Sequence, residues 1–574
     1  MNAAQQILQI LTGQGVDTVF GYPGGCIMPL YDALVDDDRI RHVLCRHEQA
    51  CALAADGYAR ASGRVGVCIA TSGPGATNLI TGVANAHRDS VPMVVITGQT
   101  PSALMGTDAF QEVDVLGMTL DIVKHSYLIT DASTLATTLD EAFALAASGR
   151  PGPVWIDIPK DVQLAEVDAD YYAASMRAGE HRSSAPTEPA IDSALALLHS
   201  AQRPLLYSGG GVSKANAEAA FREFAAVAAM PHVNTLNGIG NPGRDCPDHL
   251  GMLGMHGSRA ANLAVHDCDL LVVVGARLDD RATGRLDGFA PNARLLHIDI
   301  DAAEFNKLRC ASAVVPGELN AVLAALTQAL RTAPLAIGAW RSQCRQWRAL
   351  HGFAVPPQAG DAISGPAFVR ALSDQAPTGT TVACDVGQHQ MWVAQYFDFC
   401  APRCHLSSGG LGTMGYGLPA AIGAQFAHPQ HPVINVAGDG SFLMNLQELA
   451  TVGRYGLPLK IVVLDNACLG MVRQQQELFY DNRESQIDLD DNPDFVALAR
   501  AFGIAAESIC RAEDMPAAID RLFAHTGPCL LHVAVARADN VWPMVCAGSA
   551  NIDMIDAEPM ARDAALMTTF TAGA

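Results

Sequence analysis

Two short polar segments, each directly after an apolar run, carry the residue types of a metal and phosphate site. The run from His431 to Ala437 leads into Gly438-Asp439-Gly440-Ser441-Phe442, and the run from Leu459 to Leu464 leads into Asp465-Asn466. A carboxylate and an amide oxygen suit a hard cation such as Mg²⁺, which completes its octahedron with phosphate oxygens and water. Asp439, Asn466 and the backbone carbonyl of Cys468 are therefore the predicted metal ligands.

The order of elements around these segments explains why they should meet. A strand, a helical stretch from Leu443 to Arg454 and a second strand form a right-handed crossover, which brings both strand ends to one sheet edge. Gly438 and Gly440 allow backbone amides to approach phosphate oxygens, and a helix N-terminus favours negative charge. The alternative is an ordinary strand-to-helix turn with a Gly-Asp-Gly bend, and the paired Asn466 favours the cofactor interpretation.

A second set of glycine and acidic residues follows apolar runs in the middle of the chain. The run from Pro204 to Ser208 precedes Gly209-Gly210-Gly211, the run from Leu270 to Val274 precedes Gly275, and the run from Arg294 to Ile298 precedes Asp299. Glycines and carboxylates at the carboxyl ends of strands suit a dinucleotide, because the carboxylate oxygens accept hydrogen bonds from its ribose hydroxyls. Because the glycine run is not GxGxxG, a plain α/β core remains an alternative interpretation.

The elements that must position these residues form an alternating pattern. Short β-rich runs alternate with Ala- and Leu-rich helical stretches, which predicts an α/β protein of doubly wound parallel sheets. Two stretches interrupt the pattern, 165–189 and 331–365, and both are interpreted as linkers. Three domains are thus expected at residues 1–165, 190–330 and 365–545, followed by a tail at 546–574.

Composition excludes several classes of function. The formal charge of the 574 residues is -22, which disfavours nucleic acid and anionic membrane surfaces as partners. The fifteen cysteines are scattered without CxxC pairs, as in a protein with reduced thiols, and no basic leader followed by an apolar stretch begins the chain. No run of about 18 apolar residues occurs. A cytoplasmic protein is expected.

Several longer motifs match one family in order along the chain. The sequence resembles the large catalytic subunit of acetohydroxyacid synthase (acetolactate synthase), a thiamine-diphosphate enzyme, from about residue 3 to residue 545. Beyond the Gly438 and Asn466 segments, the motifs that carry the resemblance are Gly21-Tyr22-Pro23-Gly24-Gly25, Arg46-His47-Glu48-Gln49, Thr71 to Asn78, Gly106 to Glu112, Gly387 to Trp392 and Leu469 to Gln474.

The resemblance implies a reaction and a set of cofactors. The reaction is decarboxylation of pyruvate and transfer of the two-carbon fragment to a second pyruvate or to 2-ketobutyrate, the first common step of valine, leucine and isoleucine biosynthesis. Thiamine diphosphate and Mg²⁺ would serve the C-terminal domain, with the aminopyrimidine held by the N-terminal domain. The implied contacts to thiamine diphosphate are Glu48, Asn78, Val386, Gly387, Gln388, His389, Gly412, Met414, Gly438, Asp439, Gly440, Ser441, Asn466, Leu469, Gly470 and Met471.

Glu48 has the central role among these residues by resemblance. A carboxyl group that hydrogen-bonds the aminopyrimidine favours its imino tautomer and assists loss of the C2 proton. Viewed alone, a glutamate in the first turn of a helix is an ordinary partner of the helix dipole. The family match favours the catalytic role, and a glutamate here argues against the related glyoxylate carboligases, which have an apolar residue at this position.

The middle domain is expected by resemblance to bind FAD in a structural, non-redox role, because carboligation changes no oxidation state. Its implied contacts are Arg150, Gly209, Gly210, Gly211, Thr235, Leu236, Leu253, Gly254, Met255, His256, Gly275, Ala276, Arg277, Asp279, Arg281, Asp299, Ile300 and Glu318.

Substrate selection is also assigned by resemblance. Arg277 is the candidate for the carboxylate of the second keto acid, since arginine offers two parallel donors, with a surface position or a flavin-phosphate contact as the alternative. Phe110 and Met471 form apolar walls, and Gly25, Gln111 and Lys160 lie near the reacting centre. Family members normally have tryptophan where this chain has Gln475. That tryptophan is associated with preference for 2-ketobutyrate, so weak discrimination is predicted here.

The resemblance also implies partners and leaves two alternatives. Related enzymes form a homodimer, or a dimer of dimers, whose active sites lie between subunits, and they usually pair with a small regulatory subunit. One alternative is a flavin-dependent relative such as a pyruvate oxidase. The other is a non-catalytic regulatory subunit on the same fold, against which the joint presence of Glu48, Asp439 and Asn466 argues.

Overall fold

Runs of mostly buried, mostly apolar residues form the inner strands of each sheet, and both faces of each sheet are covered, as parallel sheets require. In the computed structural model, which describes residues 1–167, 185–243, 246–355 and 360–557, eighteen strands form three sheets of six, each wholly parallel. The first sheet has the order β2-β1-β3-β4-β6-β5. Its strands are β1 Thr18–Gly21, β2 Arg41–Leu44, β3 Gly66–Ala70, β4 Met93–Gln99, β5 His125–Leu128 and β6 Pro153–Pro159.

The second and third sheets repeat this arrangement, with strand orders β12-β11-β10-β7-β8-β9 and β14-β13-β15-β16-β18-β17. The strands of the second are β7 Pro204–Ser208, β8 His232–Asn234, β9 His249–Met252, β10 Leu270–Val274, β11 Arg294–Asp299 and β12 Ala313–Pro316. Those of the third are β13 Thr381–Cys384, β14 His405–Ser407, β15 Val433–Gly438, β16 Lys460–Asp465, β17 Ala505–Ile509 and β18 Cys529–Ala534. The predicted α/β class with parallel sheets is confirmed.

Helices cover the sheets within the described residues. Those beside the first sheet are Ala3–Gly13, Met28–Ala33, Glu48–Ser62, Pro74–Arg88, Val115–Thr119, Leu135–Ala147 and Lys160–Leu164. The middle of the chain has Glu188–Ser200, Gly211–Lys214, Glu218–Ala228, Arg259–Asp267, Asp280–Thr283, Leu319–Thr332 and Gly338–His351. The last part has Gly365–Gln375, Gln388–Tyr396, Gly417–Ala427, Asp439–Phe442, Leu449–Tyr455, Gly470–Phe479, Phe495–Ala501 and Met515–Ala524.

The chain divides into two compact units, one holding the first and third sheets and the other holding the second. In the first unit an apolar core runs from one sheet to the other through the helices Glu48–Ser62 and Gly417–Ala427. These helices approach closely, since a Cβ added at Gly423 would lie 1.9 Å from the Ala54 carbonyl oxygen. The second unit has a separate apolar core on each face of its sheet.

Two predicted elements differ from the structure. The expected helix from Leu443 to Arg454 is broken: Asn445 leaves helical geometry at φ −136° and its side-chain amide donates to the Gly415 carbonyl, 2.7 Å away. A helix therefore begins only at Leu449. The stretch 331–365, interpreted as a linker, contains the helix Gly338–His351, because Trp340 and Cys344 bury their side chains in the second unit.

The described residues after 538 join the second unit, where the Arg285 amide donates to the Ser549 carbonyl. Part of the first predicted linker, residues 168–184, lies outside the described residues, as does most of the predicted tail. The predicted domain boundaries stay a prediction. Among the described residues, none of the helices is long and apolar enough to cross a bilayer.

Candidate active site

The segments after β15 and β16 lie side by side at one edge of the third sheet. The two strands are parallel neighbours, with Gly438 in register with Leu464. Asp439 begins the short helix after β15, Asp465 is the last residue of β16, and Asn466 follows it. Asn492 donates one side-chain amide to both carboxylates, at 2.9 Å to Asp439 and 3.4 Å to Asp465. The predicted convergence of the two strand ends is therefore present.

Asp439 sits in an unusually negative environment for a buried carboxylate. Burial and the neighbouring Asp465 raise the pKa of Asp439 above its usual range. Although burial works in the opposite direction, hydrogen bonds from His532 and the Ala467 amide lower the pKa of Asp465. Within the described ranges no lysine or arginine forms an ion pair with Asp439. A divalent cation would supply the missing positive charge and keep this carboxylate ionised, so the donor set fits Mg²⁺.

The side chain of Asn466 is oriented by a chain of amides. Its Nδ2 donates to Gln388 Oε1 at 3.2 Å, and Gln388 in turn donates to Gln474 Oε1 at 3.1 Å. The Asn466 Oδ1 accepts from the Cys468 backbone amide at 3.3 Å. Hydrogen bonds at both ends of the carboxamide therefore fix the direction of this oxygen. An oxygen with a fixed direction is what a metal ligand requires.

The segment after β13 closes around the same edge. Burial lowers the pKa of His389 to about 3, so its ring is neutral, and its Nε2 accepts from the Gly438 amide at 3.2 Å. Burial also raises the pKa of Asp385 to about 6, although this carboxylate accepts from the amides of Val386, Gly415 and Gly417. Asp385 was missed in the sequence, where it follows an apolar run as Asp439 does.

Met414 and Leu469 flank the Gly438–Ser441 segment. A Cβ added at Gly440 would lie 4.0 Å from Met414 Cε and 2.8 Å from Leu469 Cδ2. Gly470 and Met471 open the next helix, in which Met471 is half-buried and Gln475, one turn further, is exposed. The predicted cofactor residues after β13, β14, β15 and β16, from Val386 through Gly412 to Met471, thus share one sheet edge.

Glu48 lies at the corresponding edge of the first sheet. It opens the helix Glu48–Ser62, whose N-cap His47 accepts from the Gln49 amide. Asn78 Nδ2 donates to Glu48 Oε2 at 3.0 Å, so these two predicted residues are in direct contact. In the described part of a single chain, no hydrogen bond joins Glu48 to the Gly438–Ser441 segment.

The remaining residues predicted near the reacting centre follow neighbouring strands. Gly25 follows β1, Phe110 and Gln111 lie in the segment after β4, and Lys160 follows β6. Gln111, at φ 62°, packs against Gly73, where an added Cβ would lie 2.7 Å from the Gln111 Cβ. Phe110 is 87% exposed, an unusual state for a large aromatic side chain.

The strand-to-helix junction before Glu48 is held by residues that the sequence did not single out. Glu448 accepts from the Arg46 amide at 2.9 Å and from the Thr451 hydroxyl at 2.6 Å. The Tyr455 hydroxyl accepts from the Leu44 amide at 2.9 Å. No local motif marks Glu448 or Tyr455 for this task, because Arg46 and Leu44, whose amides they bind, are about 400 positions away in the chain.

In the second unit, most of the predicted dinucleotide contacts follow strand ends at one edge of the sheet. This group comprises Gly209–Gly211, Thr235, Leu236, Leu253, Gly254, Met255, His256, Gly275, Ala276, Arg277, Asp279, Arg281, Asp299, Ile300 and Glu318. Arg150 belongs to the first unit, where its Nε donates to the Ser90 hydroxyl. The glycines of this edge also have a packing role, since the Gly211 amide donates to the Gly275 carbonyl at 3.0 Å.

This edge has polar atoms that suit a bound dinucleotide. The buried hydroxyls of Tyr207 and Ser208, at the end of β7, have no hydrogen-bond partner among the described residues. Burial raises the pKa of Asp299 to about 6. Arg277 is half-buried, and no acidic side chain in the described ranges forms an ion pair with it. Unpartnered buried hydroxyls indicate a ligand or water at this edge.

Three family models together match most of the chain. They are the thiamine pyrophosphate enzyme N-terminal TPP binding domain at residues 1–118, the central domain at 191–326 and the C-terminal TPP binding domain at 385–533. The chain is 53% identical to the acetolactate synthase isozyme 2 large subunit of Escherichia coli K12, over 97% of this chain and 100% of that protein. The chain belongs to the acetolactate synthase large-subunit family.

Other members of the family give the same result. The acetolactate synthase large subunit of Parasynechococcus marenigrum is 48% identical over 97% of this chain and 91% of its own length, and that of Corynebacterium glutamicum is 44% identical over 96% and 90%. Membership in the acetolactate synthase family confirms the recognition made from the motifs. Thiamine diphosphate is the cofactor that the matched N- and C-terminal domains of this family bind.

Proposed function

We propose that the protein is the catalytic subunit of an acetohydroxyacid synthase. It decarboxylates pyruvate and joins the two-carbon fragment to a second pyruvate, giving acetolactate, or to 2-ketobutyrate, giving acetohydroxybutyrate. The observation that carries the proposal is the pair of neighbouring strand ends that bear Asp439 and Asn466, in a chain 53% identical to an acetolactate synthase subunit. A pyruvate oxidase-like activity is not favoured by these relatives.

The chain's own residues have distinct tasks in this mechanism. Asp439, Asn466 and the Cys468 carbonyl would hold Mg²⁺ on the diphosphate, and the amides of Gly440 and Ser441, at the start of a helix, would be available to its phosphate oxygens. Thiamine diphosphate, when bound, stabilises the two-carbon fragment left by loss of CO₂. Glu48 would hydrogen-bond the aminopyrimidine ring of the bound cofactor, and Asn78, which donates to Glu48, fixes the direction of that carboxyl group.

A product assay tests the proposal directly. The enzyme is supplied with pyruvate, with and without 2-ketobutyrate, while Mg²⁺, thiamine diphosphate and FAD are withheld one at a time. Acetolactate and CO₂ are expected, with loss of product when thiamine diphosphate or Mg²⁺ is absent. Acetate or acetyl phosphate with oxygen consumption would contradict the proposal.

The role of Glu48 has a matched control elsewhere in the chain. Glu218 opens the helix Glu218–Ala228 and is, like Glu48, an acidic residue in a first turn. Glu48→Gln should lower turnover at least about a hundredfold, the scale of general acid–base contributions, whereas Glu218→Gln should not. Equal effects of the two substitutions would leave Glu48 as a partner of the helix dipole only.

We propose that the active site is completed by a second copy of the chain, in a homodimer or a dimer of dimers. The 87% exposure of Phe110, a residue proposed to line the reacting centre, supports this. Mixing inactive Glu48→Gln and Asp439→Asn proteins should restore roughly a quarter of the activity, since a two-fold dimer then has one intact site in each heterodimer. No recovery would refute shared sites.

Pairing with a small regulatory subunit is proposed on the family match alone.

FAD is proposed as a structural ligand of the second unit. The unpartnered Tyr207 and Ser208 hydroxyls and the carboxylate of Asp299, all at one sheet edge, support this assignment. Flavin should bind stoichiometrically and raise the melting temperature, with no change in its redox state during turnover. Full activity and unchanged stability of flavin-free protein would count against it.

Acceptor preference is proposed to be weak. Gln475 lies one helical turn after Met471 and is exposed in a single chain, so an amide stands where the family has an indole. Arg277, without an ion-pair partner in the described ranges, is the proposed anchor for the acceptor carboxylate.

Location in the cytoplasm is proposed from the fifteen unpaired cysteines.

A further inference from the structure

A buried polar cluster in the first unit contacts the loop 408–413, which follows β14. Four residues, termed the anchor cluster, form it: Asp56 and Arg60 on the helix Glu48–Ser62, Asn85 on the helix Pro74–Arg88, and Asp89 at its C-cap. Asp56 and Asn85 are fully buried, and Asp89 is 2% exposed. Neither the sequence motifs nor the proposed mechanism assigns a task to these residues.

One oxygen atom of the anchor cluster holds both ends of the loop. Asn85 Oδ1 accepts from the Ser408 hydroxyl at 2.6 Å and from the Thr413 hydroxyl at 3.1 Å. The Thr413 amide also donates to the Ser408 hydroxyl at 2.8 Å, which closes the base of the loop. Asn85 Nδ2 donates to Asp56 at 3.2 Å, so the orientation of the Asn85 amide is fixed.

The charged members of the anchor cluster form hydrogen bonds with the backbone where the loop begins. Asp89 Oδ2 accepts from the Gly409 amide at 3.0 Å. Arg60 donates to Asp89 at 2.8 Å, to Asp56 at 2.6 Å and to the Ser407 carbonyl at 3.1 Å. Removing one member would leave a buried charge or a buried amide without its partner, which is costly.

The anchored loop leads to the residues beside Asp439. Between its buried ends, residues 409–412 are exposed, and Met414, which follows directly, lies near Gly440. The amide of Gly415 donates to Asp385 at 2.8 Å. The loop base therefore leads through Met414 to the neighbourhood of Gly440, and through Gly415 to Asp385.

We infer that the anchor cluster consists of positioning residues that hold the loop 408–413, and with it Gly412 and Met414, in the geometry that binds thiamine diphosphate. The inference rests on the proposed function. Holding a loop in its bound conformation before the ligand arrives removes the entropic cost of ordering it on binding. Two helices of the N-terminal part of the chain thus set the shape of a cofactor contact that is otherwise built from the C-terminal part.

The test uses isosteric changes at Thr413 on the full-length enzyme. Thr413→Val removes the hydroxyl that Asn85 accepts from, whereas Thr413→Ser keeps it. Thr327→Val is the matched control, because Thr327 is a buried threonine of the second unit whose hydroxyl donates only to the Leu323 carbonyl of its own helix. The dissociation constant of thiamine diphosphate in saturating Mg²⁺ is measured by calorimetry, together with kcat and the melting temperature.

Thr413→Val should weaken thiamine diphosphate binding about tenfold, the factor that corresponds to about 1.4 kcal/mol for one net hydrogen bond. Thr413→Ser and Thr327→Val should bind it as the wild type does. Asn85→Ala, which removes the acceptor for both hydroxyls, should have a larger effect. Wild-type affinity in Thr413→Val, or equal weakening in Thr327→Val, would overturn the inference. Wild-type protein that does not bind thiamine diphosphate would instead refute the proposed function.

Discussion

Asp157 is a buried carboxylate for which the described residues supply no cation. It lies in β6 at 1% exposure and accepts from the Thr97 hydroxyl at 2.6 Å and from Gln99 Nε2 at 2.9 Å. Burial raises the pKa of Asp157 to about 7, against an ordinary value of 3.8. Asp157→Asn keeps the size of the side chain and removes its charge. We predict that this substitution changes the pH dependence of stability.

The sign and size follow from proton linkage. The folded state binds the proton more tightly than the unfolded state, so the protonated group favours folding below about pH 4 and this contribution is lost as the pH rises through about 7. At about 1.4 kcal/mol per pH unit, the gap of roughly three units comes to about 4 kcal/mol. Asp157→Asn lacks this loss, so its stability relative to the wild type should rise by up to that amount between pH 4 and 8.

Amide hydrogen exchange in β4 and β6 is the appropriate assay, because a chain of several domains does not unfold in one transition. Wild type and variant are compared at the same pH, which cancels the intrinsic pH dependence of exchange. Asp131→Asn is the control, since hydrogen bonds from Ser133 lower the pKa of Asp131 and it stays ionised above pH 5. A difference between Asp157→Asn and wild type that stays constant from pH 5 to 8 would refute the reasoning.

Three further predictions concern packing, the metal and the acceptor. Gly423→Ala should lower the free energy of unfolding of the first unit by about 3 kcal/mol, because its Cβ would overlap the Ala54 carbonyl; an unchanged denaturation midpoint would contradict this. Asn492→Ala should weaken Mg²⁺ binding about tenfold, because it removes the hydrogen bond that orients Asp439. Titration of Mg²⁺ into the complex with thiamine diphosphate measures this affinity, and an unaltered value would contradict the orienting role of Asn492. Gln475→Trp should raise the ratio of acetohydroxybutyrate to acetolactate about tenfold in a competition assay, and an unchanged ratio would show that another group sets acceptor preference.

Strand ends were the most predictable part of this protein. The runs at Pro204–Ser208 and Leu270–Val274 have the bounds that the apolar pattern indicates. The parallel arrangement then fixes where polar residues after each strand must lie, so the sequence pattern alone places Asp439 and Asn466 at the same sheet edge. Both inferences use local pattern and one topological rule.

Contacts between distant segments were not predictable in the same way. Asn492, which holds Asp439, and Asn85, which holds the loop 408–413, are single asparagines without a local signature. Asn445 breaks an otherwise helical stretch because its side chain donates to a carbonyl 30 positions earlier in the chain. In each case the deciding partner lies outside any window that a local pattern covers, so tertiary contact overrides local propensity.

The residues of the proposed site differ in how firmly contacts within one chain fix them. The residues proposed to bind the cofactor are fixed, whereas those proposed to select the acceptor keto acid are not. Asp439, Asp385 and Asn466 are each held by hydrogen bonds with neighbouring segments of the third sheet: the two carboxylates accept, and Asn466 donates. Phe110 is 87% exposed and Gln475 is also exposed, so the position of neither is determined by packing within the chain. In the proposed dimer, exposed residues of this kind would acquire their surroundings from the second copy and from the bound keto acid. Changes at Phe110 or Gln475 should therefore alter acceptor choice and leave thiamine diphosphate affinity unchanged. Changes at Asp439, Asp385 or Asn466 should weaken thiamine diphosphate binding and leave acceptor choice unchanged.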